Sequence, residues 1–471
     1  MAEIGLVGLG VMGSNLALNM AEHGHAVAVF NRTTEKTDAF VGAAGGLAKK
    51  LTATHTLPEL AKAIRGPRPI IMLVQAGTAV DEQAEALLPY LDRGDMLIDA
   101  GNANYRDTRR RAEAYAARGI DFVGIGVSGG EEGARHGPSI MAGGSEASWQ
   151  RIAPVLTDIA AKFNGEPCAA RVGPEGAGHF VKTMHNGIEY ADMQMIAEVY
   201  GIMRDGLGLS PSAMADVFAL WNGGRLKSYL IEITATVLDA LDPETGKPLV
   251  DLILDSAGQK GTGRWAAIEA QDMGVPATVI EAAVAARVQS SQREVRIAGE
   301  KLFGAAKRKI AVADREAFID NLETALLAGK IAAYAQGFAV MAKASETWGW
   351  QTPLGTVARI WRAGCIIRSA FLDDIATAYA SGAPVGNLMM VAPFDAMLKE
   401  THDSLRRVVA DAVLAGIPVP ALSAALAYFD LARTAHSTAN LIQAQRDFFG
   451  AHGFERTDRP GTGLHGPWSK G

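Results

Sequence analysis

The first turn of the chain constrains the fold more than any other segment. An apolar run at 4–7 leads directly into Gly8-Leu9-Gly10-Val11-Met12-Gly13, and a helical run over 15–21 follows. A G-x-G-x-x-G alone is a weak signal. Set between a strand and a helix, it is the turn on which backbone N–H groups at a helix N-terminus face a pyrophosphate, with glycine wherever a Cβ would block the turn or the phosphate. The expectation is a bound dinucleotide on Gly8, Leu9, Gly10, Val11, Met12 and Gly13. The following segments keep the same rhythm. Runs rich in β-formers at 4–7, 26–30, 70–74, 96–98 and 122–125 alternate with helical stretches, which predicts an α/β, doubly wound, Rossmann-like N-terminal domain over 1–177.

The second strand ends at Asn31-Arg32-Thr33. A site for NAD usually carries Asp or Glu here, on the ribose 2′-hydroxyl. A guanidinium beside a hydroxyl suits the 2′-phosphate of NADP instead, because Arg can pair with phosphate through two N–H groups.

From about residue 178 the apolar positions follow helical spacing almost everywhere, predicting a large, mostly α-helical domain over 178–449. It carries an internal echo. Val217-Phe218-Ala219-Leu220-Trp221-Asn222-Gly223-Gly224 resembles Val357-Ala358-Arg359-Ile360-Trp361-Arg362-Ala363-Gly364, 140 residues further on, and segments ending in Pro211 and Pro353 repeat at nearly the same distance. That predicts duplication of a helical unit. Residues 450–471, rich in Gly, Pro and His, read as an extended C-terminal tail.

Composition narrows the function. A net charge of -6 over 471 residues argues against a nucleic-acid partner, so an anionic substrate would be held by a few placed cations. Two cysteines, Cys168 and Cys365, are too few for a disulfide framework and lie in no metal-ligand spacing, so no metal is expected. Neither a basic, apolar leader nor a run of ~18 uncharged apolar residues is evident. The expected setting is the cytoplasm, without membrane contact.

In 178–194, Lys182, His185, Asn186, Glu189 and Tyr190 fall at i, i+3, i+4, i+7 and i+8, on one face of a helix. Such a stripe is ordinarily a solvated face. Here Val181, Met184, Ile188 and Met195 cover the remainder, so the helix is expected to be largely buried, its stripe lining a polar site. Glu and Lys seven apart, with His and Asn between them, supply a base, an acid and orienting donors. Burial would lower the Lys182 pKa and allow a neutral amine to take a proton from a substrate hydroxyl.

With these segments in view, the chain resembles the decarboxylating 6-phosphogluconate dehydrogenases over essentially its whole length. The resemblance rests on the glycine turn, Asn31-Arg32-Thr33, Gly101-Asn102, the run from Gly126 through Ser128-Gly129-Gly130 to Gly133, His185-Asn186-Gly187-Ile188-Glu189-Tyr190, Lys260-Gly261-Thr262-Gly263, and the segment from Gln443 through Arg446 to His452. Related β-hydroxyacid dehydrogenases share the first parts in shorter chains. The resemblance implies oxidation of 6-phosphogluconate at its C3 hydroxyl with hydride transfer to NADP, then loss of CO2 to leave ribulose 5-phosphate. Lys182 would be the base and Glu189 the acid that protonates the enediol carbon. Asn102, Ser128, Gly129, Gly130, His185 and Asn186 would hold the sugar acid. Tyr190, Lys260, Arg287, Arg446 and His452 would hold the phosphate end and the chain, the last two coming from the partner's tail in a homodimer with shared sites. Val74, Gln75, Ala76 and Asn102 would complete the cofactor site. At Gln75 the family usually has lysine, so this chain lacks one cation beside the cofactor; Arg264, where lysine is commoner, keeps the charge. Two alternatives remain open at this point, a related enzyme acting on a small 3-hydroxy acid and a catalytically silent NADPH-binding sensor.

Overall fold

The computed structural model describes residues 1–380 and 387–468, so the last three residues of the tail lie outside the described residues. The chain divides into two compact units, Met1–Ala425 and Leu426–Gly471.

The first unit opens with ten strands: β1 (Ile4–Val7), β2 (Val27–Phe30), β3 (Leu51–Thr54), β4 (Pro69–Met72), β5 (Met96–Asp99), β6 (Asp121–Val127), β7 (Ile140–Ala142), the short pair β8 (Lys162–Phe163) and β9 (Glu166–Pro167), and β10 (Ala169–Arg171). Eight form one sheet in the order β10-β7-β6-β5-β4-β1-β2-β3. Pairing is parallel from β3 across to β6, and β6 then pairs antiparallel with β7. The order 3-2-1-4-5-6 within it reverses between β1 and β4, which opens a crevice at the carboxyl ends of those two strands. Both sheet faces are covered. On one, Leu16, Ala17 and Met20 of the helix Val11–Glu22 pack with Ile4, Leu6 and Val29. On the other, Leu60, Ile64 and Val80 pack with Val7, Ile70 and Met72.

The five strands expected from sequence are present, with shifted ends. β4 stops at Met72 rather than 74, because Leu73 N–H makes the last bond to Val7 C=O (2.9 Å) before the chain turns away. β6 runs on to Val127 because a strand with few sequence cues, β7, pairs with its last three residues.

The rest of the unit is built on two long helices, Ala177–Gly201 and Arg315–Trp348. An apolar window of the second has mean hydropathy 1.3, and 89% of it is buried within the protein. Lys330 interrupts that window, and the helix is apolar because it forms the core. The two are tied by a buried ion pair, Lys330 Nζ to both Asp192 carboxylate oxygens at 2.6 Å. Nearer the end of the first helix, buried Glu198 accepts the N–H groups of Ala421 and Leu422 (2.8 and 2.9 Å), capping the helix Pro420–Ala432; burial pushes its carboxyl up to about 7. The echoed segments take matching places. Each long helix is followed, after a proline, by a short one, Pro211–Asn222 and Leu354–Ile360, with Trp221 and Trp361 both buried at their ends.

In the terminal unit the helix Ala439–Gly450 is followed by a loop that closes on itself, not by a straight run. Asp447, buried, accepts the N–H groups of Gly453 (3.0 Å) and Gly466 (2.9 Å) and the ring N–H groups of His465 (2.6 Å) and Trp468 (2.8 Å). Those donors hold its carboxyl well below the usual carboxylate range. One carboxylate thus gathers a tail whose Gly and Pro content alone suggests an extended chain.

Candidate active site

Two groups of residues meet at the carboxyl edge of the sheet. The first is the glycine turn. Gly8 has φ +99°, and a Cβ there would lie 2.4 Å from Leu73 C=O. A Cβ on Gly13 would lie 1.9 Å from Gly8 C=O. Both are therefore required by the turn itself. Gly10 differs, since a Cβ would meet nothing within 4 Å; its absence keeps open the approach to the helix that starts at Val11. No side chain caps that helix, so its first N–H groups are available to a pyrophosphate. Asn31 serves the turn as well, its Oδ1 accepting from Leu9 N–H at 3.0 Å. Arg32 and Thr33 beside it are exposed, as is Gln75 in the loop between Val74 and Ala76. These residues fit a phosphorylated dinucleotide.

The second group is the polar stripe. Lys182, His185, Asn186 and Tyr190 are buried, and Glu189 keeps 21% side-chain exposure. The stripe is not a solvated face. Lys182 Nζ donates to Asn186 Oδ1 (2.8 Å) and Ser128 Oγ (3.0 Å) and lies 3.3 Å from His185 Nδ1. His185 Nε2 is 3.2 Å from Ser128 Oγ, and its Nδ1 is 3.7 Å from Glu189 Oε2. Burial lowers the Lys182 pKa, with Glu189 and Cys365 opposing, and raises that of Glu189, with Lys182 and Arg287 opposing. Burial, reinforced by Lys182, holds His185 neutral well below its ordinary value. A base and an acid with pKa values displaced toward each other is the arrangement that proton transfer in both directions requires.

Sheet and helix meet without a gap at Gly126, where a Cβ would lie 2.5 Å from Lys182 Cβ and 3.0 Å from its Cγ. Only a bare glycine lets the lysine stem lie on β6. Gly126→Ala is expected to displace Nζ and lower kcat by about tenfold to a hundredfold while leaving NADPH affinity intact; unchanged steady-state kinetics would count against this packing.

The remaining expected residues are distributed unevenly. Tyr190 lies against Gly263, and the Arg287 guanidinium sits 3.7 Å from the centre of its ring. Gly129 and Gly130 lead into the helix Gly130–His136 directly after Ser128. Asn102 is exposed in the loop after β5, and Lys260 is exposed before the helix Thr262–Asp272. Arg446 and His452 belong to the terminal unit, where Arg446 bonds Gln443 (3.1 Å) and His452 packs edge-on to Phe449. Among the described residues no group of three or more His, Cys, Asp and Glu side chains is placed to hold a metal ion.

Sequence reasoning missed the wall formed by 361–365. Trp361 packs edge-on to His185 with ring centres 5.4 Å apart, and Gly364 C=O accepts from Ser139 N–H (2.8 Å). Burial pushes the Cys365 thiol up to about 12, and Lys182, within electrostatic reach of it, works in the opposite direction. The echo around Trp361 was visible in sequence, but nothing in it marked contact with the stripe.

Two family models match the chain: the NAD binding domain of 6-phosphogluconate dehydrogenase over residues 3–173, and the 6-phosphogluconate dehydrogenase C-terminal domain over 178–468. The chain belongs to the 6-phosphogluconate dehydrogenase family. It is 48% identical over 468 residues to the NADP(+)-dependent, decarboxylating 6-phosphogluconate dehydrogenase of Bacillus subtilis, covering 99% of both chains. To the NAD(+)-dependent, decarboxylating enzyme of the same organism it is 46% identical over 468 residues, again covering 99% of each. The solved structure of 6-phosphogluconate dehydrogenase from Plasmodium falciparum superimposes with a TM-score of 0.95 at 41% identity, covering 99% of this chain and 100% of that one. Identities of 48% and 46% do not separate the two cofactors, so the residues must.

Proposed function

We propose that this chain catalyses the NADP-dependent oxidative decarboxylation of 6-phosphogluconate to ribulose 5-phosphate and CO2. The observation that carries the reading is the buried Lys182, held by Ser128 and Asn186 and one helical stripe away from Glu189. Bound on the glycine turn, NADP supplies the hydride acceptor. Lys182, neutral, takes the proton of the C3 hydroxyl as the C3 hydrogen leaves. The resulting 3-keto acid loses CO2 while the Lys182 ammonium donates to its carbonyl oxygen and stabilises the enolate. Glu189, whose pKa burial raises, then gives its proton to C1 of the enediol. Asn102, Ser128, Gly129, Gly130, His185 and Asn186 hold the sugar acid, and Tyr190, Lys260 and Arg287 the phosphate end.

NADP is preferred on the strength of Arg32 and Thr33, with Asn31 committed to the glycine turn and no carboxylate beside it. Gln75 lessens the preference by withholding a second cation. Steady-state comparison with 6-phosphogluconate is expected to give a higher kcat/KM for NADP than for NAD; the reverse order would overturn the assignment. Activity on 3-hydroxyisobutyrate and none on 6-phosphogluconate would overturn the substrate.

The same reading assigns 1–177 to the nucleotide, 178–449 to substrate binding and dimerisation, and 450–471 to a tail reaching the partner of a cytoplasmic homodimer. Arg446 and His452 would then complete the partner's site.

A further inference from the structure

Behind the two loops that carry Gln75 and Asn102 lies a buried arginine. Arg111, on the helix Tyr105–Ala116, is 1% exposed. Its guanidinium forks onto Asp81, Nε to Oδ1 at 2.9 Å and Nη2 to Oδ2 at 2.7 Å, while Nη2 also donates to Gly77 C=O at 2.8 Å. Gly77 ends the loop after β4 that contains Val74, Gln75 and Ala76, and Asp81 lies in the first turn of the helix that follows. The third nitrogen, Nη1, lies 3.5 Å from Asp99 Oδ2. Asp99 closes β5, and its other oxygen accepts Gly101 N–H at 3.0 Å, shaping the turn that presents Asn102. One buried guanidinium is therefore hydrogen-bonded to the end of the first loop and ion-paired, at 3.5 Å and without a hydrogen bond, to the carboxylate that opens the second. A turn earlier on the same helix, Thr108 Oγ1 is 2.6 Å from Nδ1 of His179, one turn before Lys182 on the stripe helix.

We infer that Arg111 is a positioning residue that couples the cofactor loop at 74–77 to the substrate loop at 101–102, so that seating the nucleotide sets Asn102 for the sugar acid. The inference rests on the functional reading above for Gln75 and Asn102. A planar fork suits the task, since Arg can bind one carboxylate in two places and still bring a third nitrogen toward a second. Lysine would keep the charge and lose the bridge.

The test measures NADPH Kd by fluorescence titration and KM and kcat for 6-phosphogluconate. Arg111→Lys is expected to raise Kd and KM each by roughly tenfold with kcat within about threefold. Asp81→Asn, a change on a partly exposed partner, is expected to move both constants in the same direction by less. Arg111→Ala is expected to regain both affinities in added guanidinium but not in ammonium of equal ionic strength. Loss of folded enzyme alone would lower kcat and leave the constants of the surviving fraction at wild-type values; that outcome, or elevation of only one constant, overturns the coupling. Asn102→Ala separates the two levels. A raised KM there beside wild-type constants in Arg111→Lys overturns the coupling alone, whereas a wild-type KM in Asn102→Ala overturns the reading of the loop and the coupling with it.

Discussion

Lys182→Met is expected to lower kcat by roughly a thousandfold or more while NADPH Kd stays within about twofold, because the substitution removes the proton acceptor and leaves the glycine turn untouched. Methionine fills the same channel along Gly126 without a buried amine, so the fold is not expected to weaken. A kcat within tenfold of wild type would sink the assignment of Lys182 as base, and with it the mechanism. The pH profile gives an independent reading. Lys182 must be neutral to start the reaction, so kcat/KM falls as pH drops through a pKa that lies below the ordinary 10.5. Glu189 must be protonated to end it, so the rate of that step falls as pH rises through a pKa above the ordinary 4.5. The two groups interact, and the apparent values belong to the pair. Glu189→Gln is expected to remove the alkaline limb and keep the acid one.

Truncation after residue 440 is expected to raise the KM for 6-phosphogluconate by about a hundredfold or to abolish turnover, with NADPH binding preserved. The segment removed holds Arg446 and His452, together with Leu441, Ile442, Phe448 and Phe449, all exposed in the described structure. An apolar face of this kind on one short helix marks an interaction surface, and the shared-site proposal places a second copy on it. Mixing makes the test specific. If each site borrows the partner's tail, truncated subunits refolded with Lys182→Met subunits regain activity, since the mixed dimer contains one site with both Lys182 and a tail. A truncated enzyme with wild-type kinetics, or an inactive mixture shown to contain mixed dimers, would overturn the shared site.

How much of this was legible beforehand follows from length scale. The glycine turn, the stripe and five strands are local patterns, and each survived because a single element carries its own periodicity. β3, β7 and β10 were not seen: β3, Leu51-Thr52-Ala53-Thr54, carries one large apolar residue, and β7 and β10 have three residues each, too few to show alternation. The stripe was found but its partner surface was not, because Ser128 and Gly126 lie more than fifty residues away and no spacing connects them to Lys182. Trp361, Gly364 and Cys365 were missed for the same reason. The tail was read as extended because its composition says nothing of Asp447 as a collector of donors. Resemblance to a family supplied the substrate, which the residues alone left open.

The contact between Gly126 and Lys182 also bears on how such a protein could be taken apart or recombined. The sheet contributes the bare backbone, and the following helix contributes the amine, so neither half alone holds a buried lysine. A fragment ending near residue 175 would retain the nucleotide turn and have no base. A helical fragment would carry Lys182 into water, where it is an ordinary ammonium. Chimeras between relatives that exchange the two halves at that junction therefore inherit function only when donor and recipient match at one position on β6, a requirement set by the space of a single methyl group.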